Sequence, residues 1–177
     1  VMLVSSMNEK KTALARFITY SCALQPVQNY REGLWGVRAR NKEQSFALDL
    51  LMDPTVQIVS LIGKAGSGKT LLAIAAGLQQ VVSNKTVMSN AFEGKISLEG
   101  EYKRLVVSRP IQPMGKDIGF LPGTMEDKMK PWLAPIEDNL KFLTGDDNST
   151  LEMYMEKGVI EMEALTYIRG RSIANAF

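Results

Sequence analysis

The sequence predicts an α/β fold in which a mainly parallel β-sheet is flanked by helices on both faces. Three observations predict it. The β-branched run QIVSLI at residues 57–62 leads directly into a glycine-rich loop and a helix-forming segment. Two further strand-like runs follow, KRLVVS at 103–108 and VIEMEALTYI at 159–168, and helical periodicity separates them. Strands that alternate with helices are joined by crossover connections, which make neighbouring strands parallel.

The first segment of the chain supports two interpretations. The capping-box sequence SMNE at residues 6–9 is followed by apolar residues at helical intervals, including Leu14 and Ile18. This spacing predicts a helix over the first half of residues 6–24. From Phe17 to Leu24 the β-branched and aromatic content supports a strand almost equally well.

The next elements surround the glycine-rich loop. Residues 41–52 carry apolar side chains on one helical face and stop at a proline, which predicts a short helix. Residues 57–62 have the composition and length of a strand. The segment TLLAIAAGLQQVV at 70–82 predicts a helix, and the weak periodicity of residues 85–101 predicts loop and turn.

The C-terminal third alternates in the same way. Residues 125–143 outline a helical face, and two prolines within them predict a broken or kinked helix. Trp132 lies on this face, and we assign it to packing rather than to base stacking. Ser149 begins a second capping box, which predicts a helix over residues 149–157, and Gly158 stands where a C-terminal cap is expected.

Composition excludes several classes of function. The 177 residues include 21 basic and 19 acidic side chains, and a net charge of +2 neither favours nor excludes nucleic acid. No histidine is present, which excludes Ser-His triads and the commonest zinc ligand. A single cysteine, Cys22, cannot form an internal disulfide, so we expect a buried small side chain in a reducing, cytoplasmic setting. No apolar run reaches the ~18 residues of a membrane span, so no membrane partner is expected.

The loop GKAGSGKT at residues 63–70 matches the pattern G-x-x-x-x-G-K-[ST] at every fixed position. Its glycines allow the backbone N–H groups to surround phosphate oxygens, and the following helix adds its positive end. We expect Lys69 to contact the β- and γ-phosphates and the Thr70 hydroxyl to bind Mg²⁺, which makes these two the predicted catalytic residues. The predicted cofactor-binding residues are Gly63, Lys64, Ala65, Gly66, Ser67, Gly68, Lys69, Thr70, Leu71 and Gln44.

Gln44 lies on the predicted helix that precedes the loop. A single glutamine on a helix is usually a solvated side chain. Its amide nevertheless offers one type of donor and one type of acceptor, which matches the hydrogen-bonding edge of adenine. If Gln44 faces the base, ATP is preferred over GTP.

Four basic residues follow predicted strands or lie in the loop after one: Arg109, Lys116, Arg169 and Arg171. Ligands of open α/β folds bind at the carboxyl ends of strands, so these side chains are candidates for contacts with a nucleic-acid backbone or a γ-phosphate. The alternative is that each is a solvated surface residue. The glycine- and proline-rich segment at 112–123 is predicted to be an ordered functional loop.

The combined pattern resembles the PhoH-like P-loop ATPase family. The segments that carry the resemblance are RNKEQ near residue 41, GKAGSGKTLLA at 63–73, VVSRPIQPMGKDIGFLPG at 106–123, EDKMKPWLAPIEDNL at 126–140 and YIRGRSIANAF at 167–177. The resemblance implies a RecA-like core related to superfamily 1 helicases, with ATP and Mg²⁺ as cofactors and single-stranded RNA as partner. It also implies that Gln44 reads adenine and that the segment from Arg109 meets nucleic acid. A hexameric ring, in which Arg169 or Arg171 reaches a neighbouring nucleotide, rests on analogy alone.

The run WGVRARNKEQ is most similar to the subgroup in which a PIN ribonuclease domain precedes the ATPase. We therefore interpret residues 1–36 as an N-terminal connector and residues 37–177 as a partial PhoH-like domain. The family pattern continues into a strand that ends in a Walker B acid pair. Neither Asp53, which precedes the glycine loop, nor the acids of VIEME at 159–163 stand at the position expected for this pair. The fold is thus expected to be incomplete at its C-terminal end.

These expectations define one main function and two alternatives. The main function is ATP binding and weak hydrolysis, in a protein that couples ATP to RNA binding or unwinding. The first alternative is a nucleic-acid-binding module that uses the nucleotide as a switch without turnover. A small-molecule kinase is disfavoured, because the sequence lacks a lid rich in arginine and contains the family-like segment from Ser108 to Gly123.

Overall fold

The computed structural model describes residues 1–8, 10–89, 102–110, 125–168 and 170–177. Its strands are β1 (Met2–Val4), β2 (Thr12–Ile18), β3 (Ala23–Pro26), β4 (Leu105–Arg109) and β5 (Ile160–Ala164). Its helices are α1 (Lys42–Leu51), α2 (Lys69–Ser89), α3 (Met125–Leu143), α4 (Asn148–Glu156) and the single turn α5 (Leu165–Ile168).

A small parallel sheet lies beneath the central helices. Strands β4 and β5 pair in parallel, from Leu105 opposite Ile160 to Arg109 opposite Ala164. The chain end runs along the other side of β4, where the Phe177 N–H donates to the Arg104 carbonyl at 3.0 Å. Helices α2, α3 and α4 pack against this sheet, so the α/β class predicted from the sequence is confirmed.

Helix α2 occupies the centre of the core. Leu78 and Val81 on α2 are fully buried, as are Leu48 of α1 and Leu140 of α3. The approach to the sheet is so close that a Cβ atom on Gly77 would lie 2.6 Å from the Leu105 Cδ1 atom. The core is thus built by packing across α2 rather than by crosslinks.

Three predicted helices are confirmed with adjusted ends. Asn41 caps α1, because its side chain accepts a hydrogen bond from the Gln44 N–H. Helix α2 extends to Ser89, so the first part of the loop predicted at 85–101 is helical, and residues 90–101 lie outside the described residues. Helix α4 is capped by Asp147 rather than by the predicted Ser149.

Helix α3 is a single element, so of the predicted break or kink at its prolines the break does not occur, and the kink stays a prediction. The side chain of Trp132 is not among those that the structure describes, so its assignment to packing stays a prediction. After α4, Gly158 adopts a positive φ of 63°, as expected for a C-terminal cap. The strand predicted at 159–168 is shorter, because α5 begins at Leu165.

The helix predicted in the first half of residues 6–24 is wrong. Strand β2 occupies this region and pairs antiparallel with both β1 and β3, which gives a three-stranded sheet. Opposite residues share a face, and one face combines the pairs Leu3–Ala13 and Phe17–Leu24, all apolar. The other face is apolar at Met2 and Leu14 as well, so polar and apolar residues alternate only weakly, and helical spacing was the stronger local signal.

Two further expectations are corrected. Residues 57–62 are not part of either described sheet, because no described strand lies beside them. Their alternation survives, however, since Val59 and Leu61 pack on the core while Ile58 and Ile62 are exposed. Cys22, expected to be buried, is exposed, and its backbone lies in the left-handed region with a φ of 49°.

None of the helices in the described ranges combines the length and apolar character that a bilayer crossing requires.

Candidate nucleotide-binding site

The loop at residues 63–70 joins the extended segment 57–62 to α2. Gly66 and Gly68 have positive φ angles of 75° and 81°, a backbone region that favours glycine. Helix α2 begins directly at Lys69, and the Leu72 N–H donates to the Gly68 carbonyl at 2.9 Å. Loop amides and the first amides of a helix thus lie together, which is the arrangement that binds anions.

The Lys69 ammonium is hydrogen-bonded to the loop itself. Its Nζ atom donates to the carbonyl oxygens of Gly63 at 2.9 Å and Lys64 at 2.7 Å. A third bond, of 3.2 Å, goes to the Ser67 hydroxyl. These three acceptors hold the predicted catalytic lysine against the loop, where phosphate oxygens could replace them as partners.

Thr70 and the alanine of the loop are solvent-accessible. Thr70 is exposed at the second position of α2, next to Lys69, and Ala65 is exposed in the loop. Mg²⁺ in nucleotide sites keeps several waters and takes few protein ligands besides phosphate oxygens, so one exposed hydroxyl at this position suits it. Among the residues that the structure describes, no cluster of three or more His, Cys, Asp or Glu side chains could hold a metal ion by itself.

Gln44 connects α1 to the loop. Its Oε1 atom accepts a hydrogen bond from the Arg40 N–H at 2.7 Å, and its Nε2 atom donates to the Ser67 carbonyl at 3.2 Å. The interpretation of Gln44 as a purely solvated side chain is therefore wrong. Because an amide oxygen has two lone pairs and an amide nitrogen two hydrogens, each group still has capacity for one more partner.

A cavity of about 360 Å³ opens beside the loop. It is lined by the turn at 36–40, by Gln44, by the glycine loop at 66–68, by Leu71 and by Phe142 of α3. Ligand cavities in proteins begin at ~300 Å³, so this one has room for a group the size of a purine ring. The cavity brings five predicted residues, Gln44, Leu71 and the three at 66–68, together with residues that the sequence analysis did not identify.

The turn at 36–40 is held by local backbone structure. Leu34 is buried, and its N–H and carbonyl exchange two hydrogen bonds of 2.9 Å with Val37. Gly33, with a φ of 82°, closes this turn so tightly that a Cβ atom would lie 2.7 Å from the Val37 carbonyl oxygen. The Trp35 ring packs edge-on against Tyr154, with centroids 6.4 Å apart.

The candidate arginines have different surroundings. Arg109 is exposed at the end of β4. Arg171 instead forms ion pairs with Glu163 and, at 3.9 Å, with Glu161, and the contact with Glu163 raises the pKa of the Arg171 guanidinium. Glu161 also accepts a hydrogen bond of 2.8 Å from Arg104. The two remaining basic candidates, Lys116 and Arg169, lie outside the described residues. The loop predicted at 112–123 lies outside them as well.

Asp53 does not face the loop. Its carboxylate contacts Arg16 of β2 and accepts a 2.6 Å hydrogen bond from the Thr55 hydroxyl. The Thr55 hydroxyl, and after it the Arg16 guanidinium, lower the pKa of Asp53 below its ordinary value, although burial opposes this. Asp53 is thus committed to a structural contact.

The fold, the glycine loop and the helix that starts at its lysine define a P-loop nucleotide-binding protein. Residues 36–177 match the family described as PhoH-like protein. The chain belongs to this family.

Three curated relatives place the chain more closely. It is 49% identical over 148 residues to Protein PhoH2 of Bacillus subtilis, which covers 82% of this chain and 30% of the relative. It is 37% identical over 172 residues to Protein PhoH2 of Thermobispora bispora, covering 97% of the chain and 35% of the relative. A PhoH-like protein of Bacillus subtilis is 34% identical over 116 residues, 66% of the chain and 31% of the relative. The chain therefore spans about a third of the length of the curated relatives that it matches.

Proposed function

We propose that this chain forms the ATP-binding part of an ATPase that acts on RNA. The observation that carries the proposal is the loop at 63–70, whose two left-handed glycines precede a helix that starts at Lys69. The adjacent cavity, with Gln44 at its wall, supplies a place for the base. Together these features correspond to the two ends of a nucleoside triphosphate.

The residues of the loop have separable roles in this proposal. The amides between Gly63 and Thr70 bind the phosphates, and the Lys69 ammonium exchanges carbonyl oxygens for phosphate oxygens when the nucleotide binds. The Thr70 hydroxyl would hold Mg²⁺, which offsets negative charge on the β- and γ-phosphates when bound. Gln44 uses its free amide hydrogen and lone pair for the edge of adenine.

Hydrolysis is proposed to be weak. Stabilising the charge that develops in phosphoryl transfer and positioning the attacking water require an acid near the metal. The acids that the sequence offered are engaged elsewhere, because Asp53 contacts Arg16 while Glu161 and Glu163 pair with arginines. We therefore expect this chain to bind ATP measurably and to hydrolyse it slowly.

A thermal-shift titration with Mg·ATP tests the proposal. At about 100 times Kd, the ligand should stabilise the chain by ~2.7 kcal/mol, which corresponds to ~5 to 11 °C at this size. The variant Lys69→Ala should lose this shift, whereas Lys10→Ala, an exposed lysine in the β1–β2 turn, should keep it. An equal shift in Lys69→Ala, or no shift in the unaltered chain, would refute nucleotide binding at the loop.

RNA binding forms the second part of the proposal, and the observation that supports it is the exposed Arg109 at the carboxyl end of β4. Phosphate contacts make binding strongly salt-dependent, so affinity for single-stranded RNA should fall steeply between about 50 and 200 mM salt. Arg109→Ala should weaken binding more than Arg171→Ala, because Arg171 already pairs with two carboxylates. Fluorescence anisotropy measures both, and affinity independent of salt would contradict the proposal.

The alternative of a nucleotide-switched binding module shares the same residues. It predicts that Mg·ATP changes RNA affinity while ATP is not hydrolysed, with or without RNA. An RNA-coupled ATPase requires turnover that rises with RNA. Phosphate-release assays with and without RNA separate the two, and the absence of turnover in both would favour the module.

A further inference from the structure

Phe142 does not belong to the apolar stripe of its helix. Its neighbours Leu140 and Leu143 are buried in the core, whereas Phe142 is 65% exposed. A single exposed aromatic residue needs no explanation by itself. Phe142, however, lines the cavity beside the glycine loop, together with Gln44 of α1.

The backbone that carries Phe142 ends in an ordered way. The Thr144 hydroxyl donates to the Leu140 and Lys141 carbonyls, at 3.1 Å each, in the last turn of α3. Gly145 then has a φ of 71°, and its N–H donates to the Phe142 carbonyl at 3.4 Å. The position of the ring is therefore set by a helix end whose other side is anchored in the core.

Three chemically different groups meet in this one cavity. Gln44 offers hydrogen bonds in one plane, the loop offers amides at Gly66 and Gly68, and Phe142 offers an apolar ring. A nucleotide needs the same three: an edge-on partner for the base, amides for phosphate and a flat surface for the ring. Aromatic side chains supply that surface for every base, because each base has a π-face.

We propose that Phe142 is the base-stacking residue of the nucleotide site and that the base lies between its ring and the turn at 36–40. This inference rests on the proposed nucleotide-binding function and adds a residue from α3 to it. Gln44 then selects adenine by hydrogen bonds, while Phe142 contributes affinity without selecting among the bases. α3 becomes a wall of the site as well as part of the core.

The test compares Mg·ATP with Mg·tripolyphosphate, a probe that has the phosphates but no base. Isothermal calorimetry should show that Phe142→Ala weakens ATP binding by about 5- to 100-fold. Tripolyphosphate affinity should change less than about twofold. Phe142→Tyr keeps a ring and should retain ATP affinity within about threefold.

Two controls separate stacking from other effects. Phe17→Ala removes a phenylalanine that is also more than half exposed, at 54%, from the N-terminal sheet and should leave both affinities unchanged. Lys69→Ala should weaken both probes. A thermal melt of Phe142→Ala near that of the unaltered chain is expected, since the side chain is mostly exposed.

The remaining outcomes overturn the inference in distinguishable ways. If Phe142→Ala weakens ATP and tripolyphosphate equally, Phe142 supports the loop rather than the base. If neither affinity changes while Lys69→Ala loses both, nucleotide binding stands and stacking by Phe142 is refuted. If the unaltered chain binds neither probe, the proposed function fails and the inference fails with it.

Discussion

The N-terminal sheet and the nucleotide-binding part of the chain are built in different ways. From Leu34 onward, buried side chains of α1, α2, α3, α4 and the parallel sheet form one hydrophobic cluster. In β1–β3 the only buried residue is Ala15, and Val1, Phe17 and Leu24 are each about half exposed. One part therefore has a core of its own, whereas the other is held by backbone pairing and by its attachment.

Polar contacts attach this sheet to the end of α1. The Arg16 side chain contacts Asp53 and, at 3.7 Å, Asp49 at the end of α1. The Gln28 N–H donates to the same Asp49 carboxylate at 2.8 Å. Because Gln44 at the start of α1 touches the glycine loop, one helix links the sheet to the nucleotide site. The residues that stabilise the core therefore differ from those that attach the N-terminal sheet to it.

The largest effect is expected from the core. Leu140 is completely buried, so Leu140→Ala should cost about 2–5 kcal/mol of the free energy of unfolding. Phe17→Ala, in the N-terminal sheet, should cost less than about 0.5 kcal/mol. Urea unfolding measures both, and similar losses would remove the distinction between the two regions.

A second large effect is expected where α2 approaches the sheet. A Cβ atom at Gly77 would lie 2.6 Å from Leu105 and 2.7 Å from Phe177. Gly77→Val should therefore destabilise by about 1–3 kcal/mol through overpacking. Ala73→Val is the matched control on the half-buried side of the same helix and should cost about 0.5 kcal/mol. Equal losses in thermal melts would show that α2 can move away from β4.

A smaller effect is expected at the attachment. Arg16→Met keeps the side-chain stem but removes both ion pairs, and should cost about 1 kcal/mol near neutral pH, since the pair is partly solvated. The pKa of Asp53 is lowered, so its contribution is present above the ordinary value of 3.8 and is lost as the pH falls through the folded value. The difference between the variant and the unaltered chain should therefore shrink below about pH 3.8. A difference that grows in acid would contradict the assignment.

The smallest effect is expected at the cap of α4. Hydrogen bonds from the Ser149 and Thr150 hydroxyls lower the pKa of Asp147 to about 2, from an ordinary 3.8. A lowered carboxyl pKa stabilises the fold above the ordinary value, and this contribution is lost as the pH falls through the folded value. Asp147→Ala should thus be less stable than the unaltered chain at neutral pH, and the difference should vanish between pH 3.8 and about 2. Circular-dichroism melts across this range provide the check, and a pH-independent difference would exclude the carboxylate as its source.

The sequence predicted the parts of the fold that local rules determine. The cap and apolar face of α1, the glycine loop and the start of α2 follow from composition and spacing over a few residues. The strand at 57–62 was not confirmed, because a strand depends on backbone partners that its own residues do not reveal. The N-terminal sheet was missed because apolar residues lie on both of its faces, which weakens the alternation that marks a strand.

Part of the candidate site could likewise be predicted from the sequence. The candidate phosphate-binding residues are consecutive, so a short pattern contains them. Gln44 required a resemblance, since its contact with Ser67 crosses the fold. Phe142 and the turn at 36–40 come together only in three dimensions, although the displacement of Phe142 from the apolar stripe of α3 was a usable signal. Tertiary contacts, rather than propensity, determine that half of the site.

Hydrogen exchange of the whole chain with and without Mg·ATP tests most directly whether the loop at 63–70 is the nucleotide site. Exchange of the amides at residues 63–70 and at the turn 36–40 should slow, exchange in β1–β3 should not change, and Lys69→Ala should lose the effect. Protection confined to the N-terminal sheet, or protection that persists in Lys69→Ala, would contradict the claim that this loop is the nucleotide site.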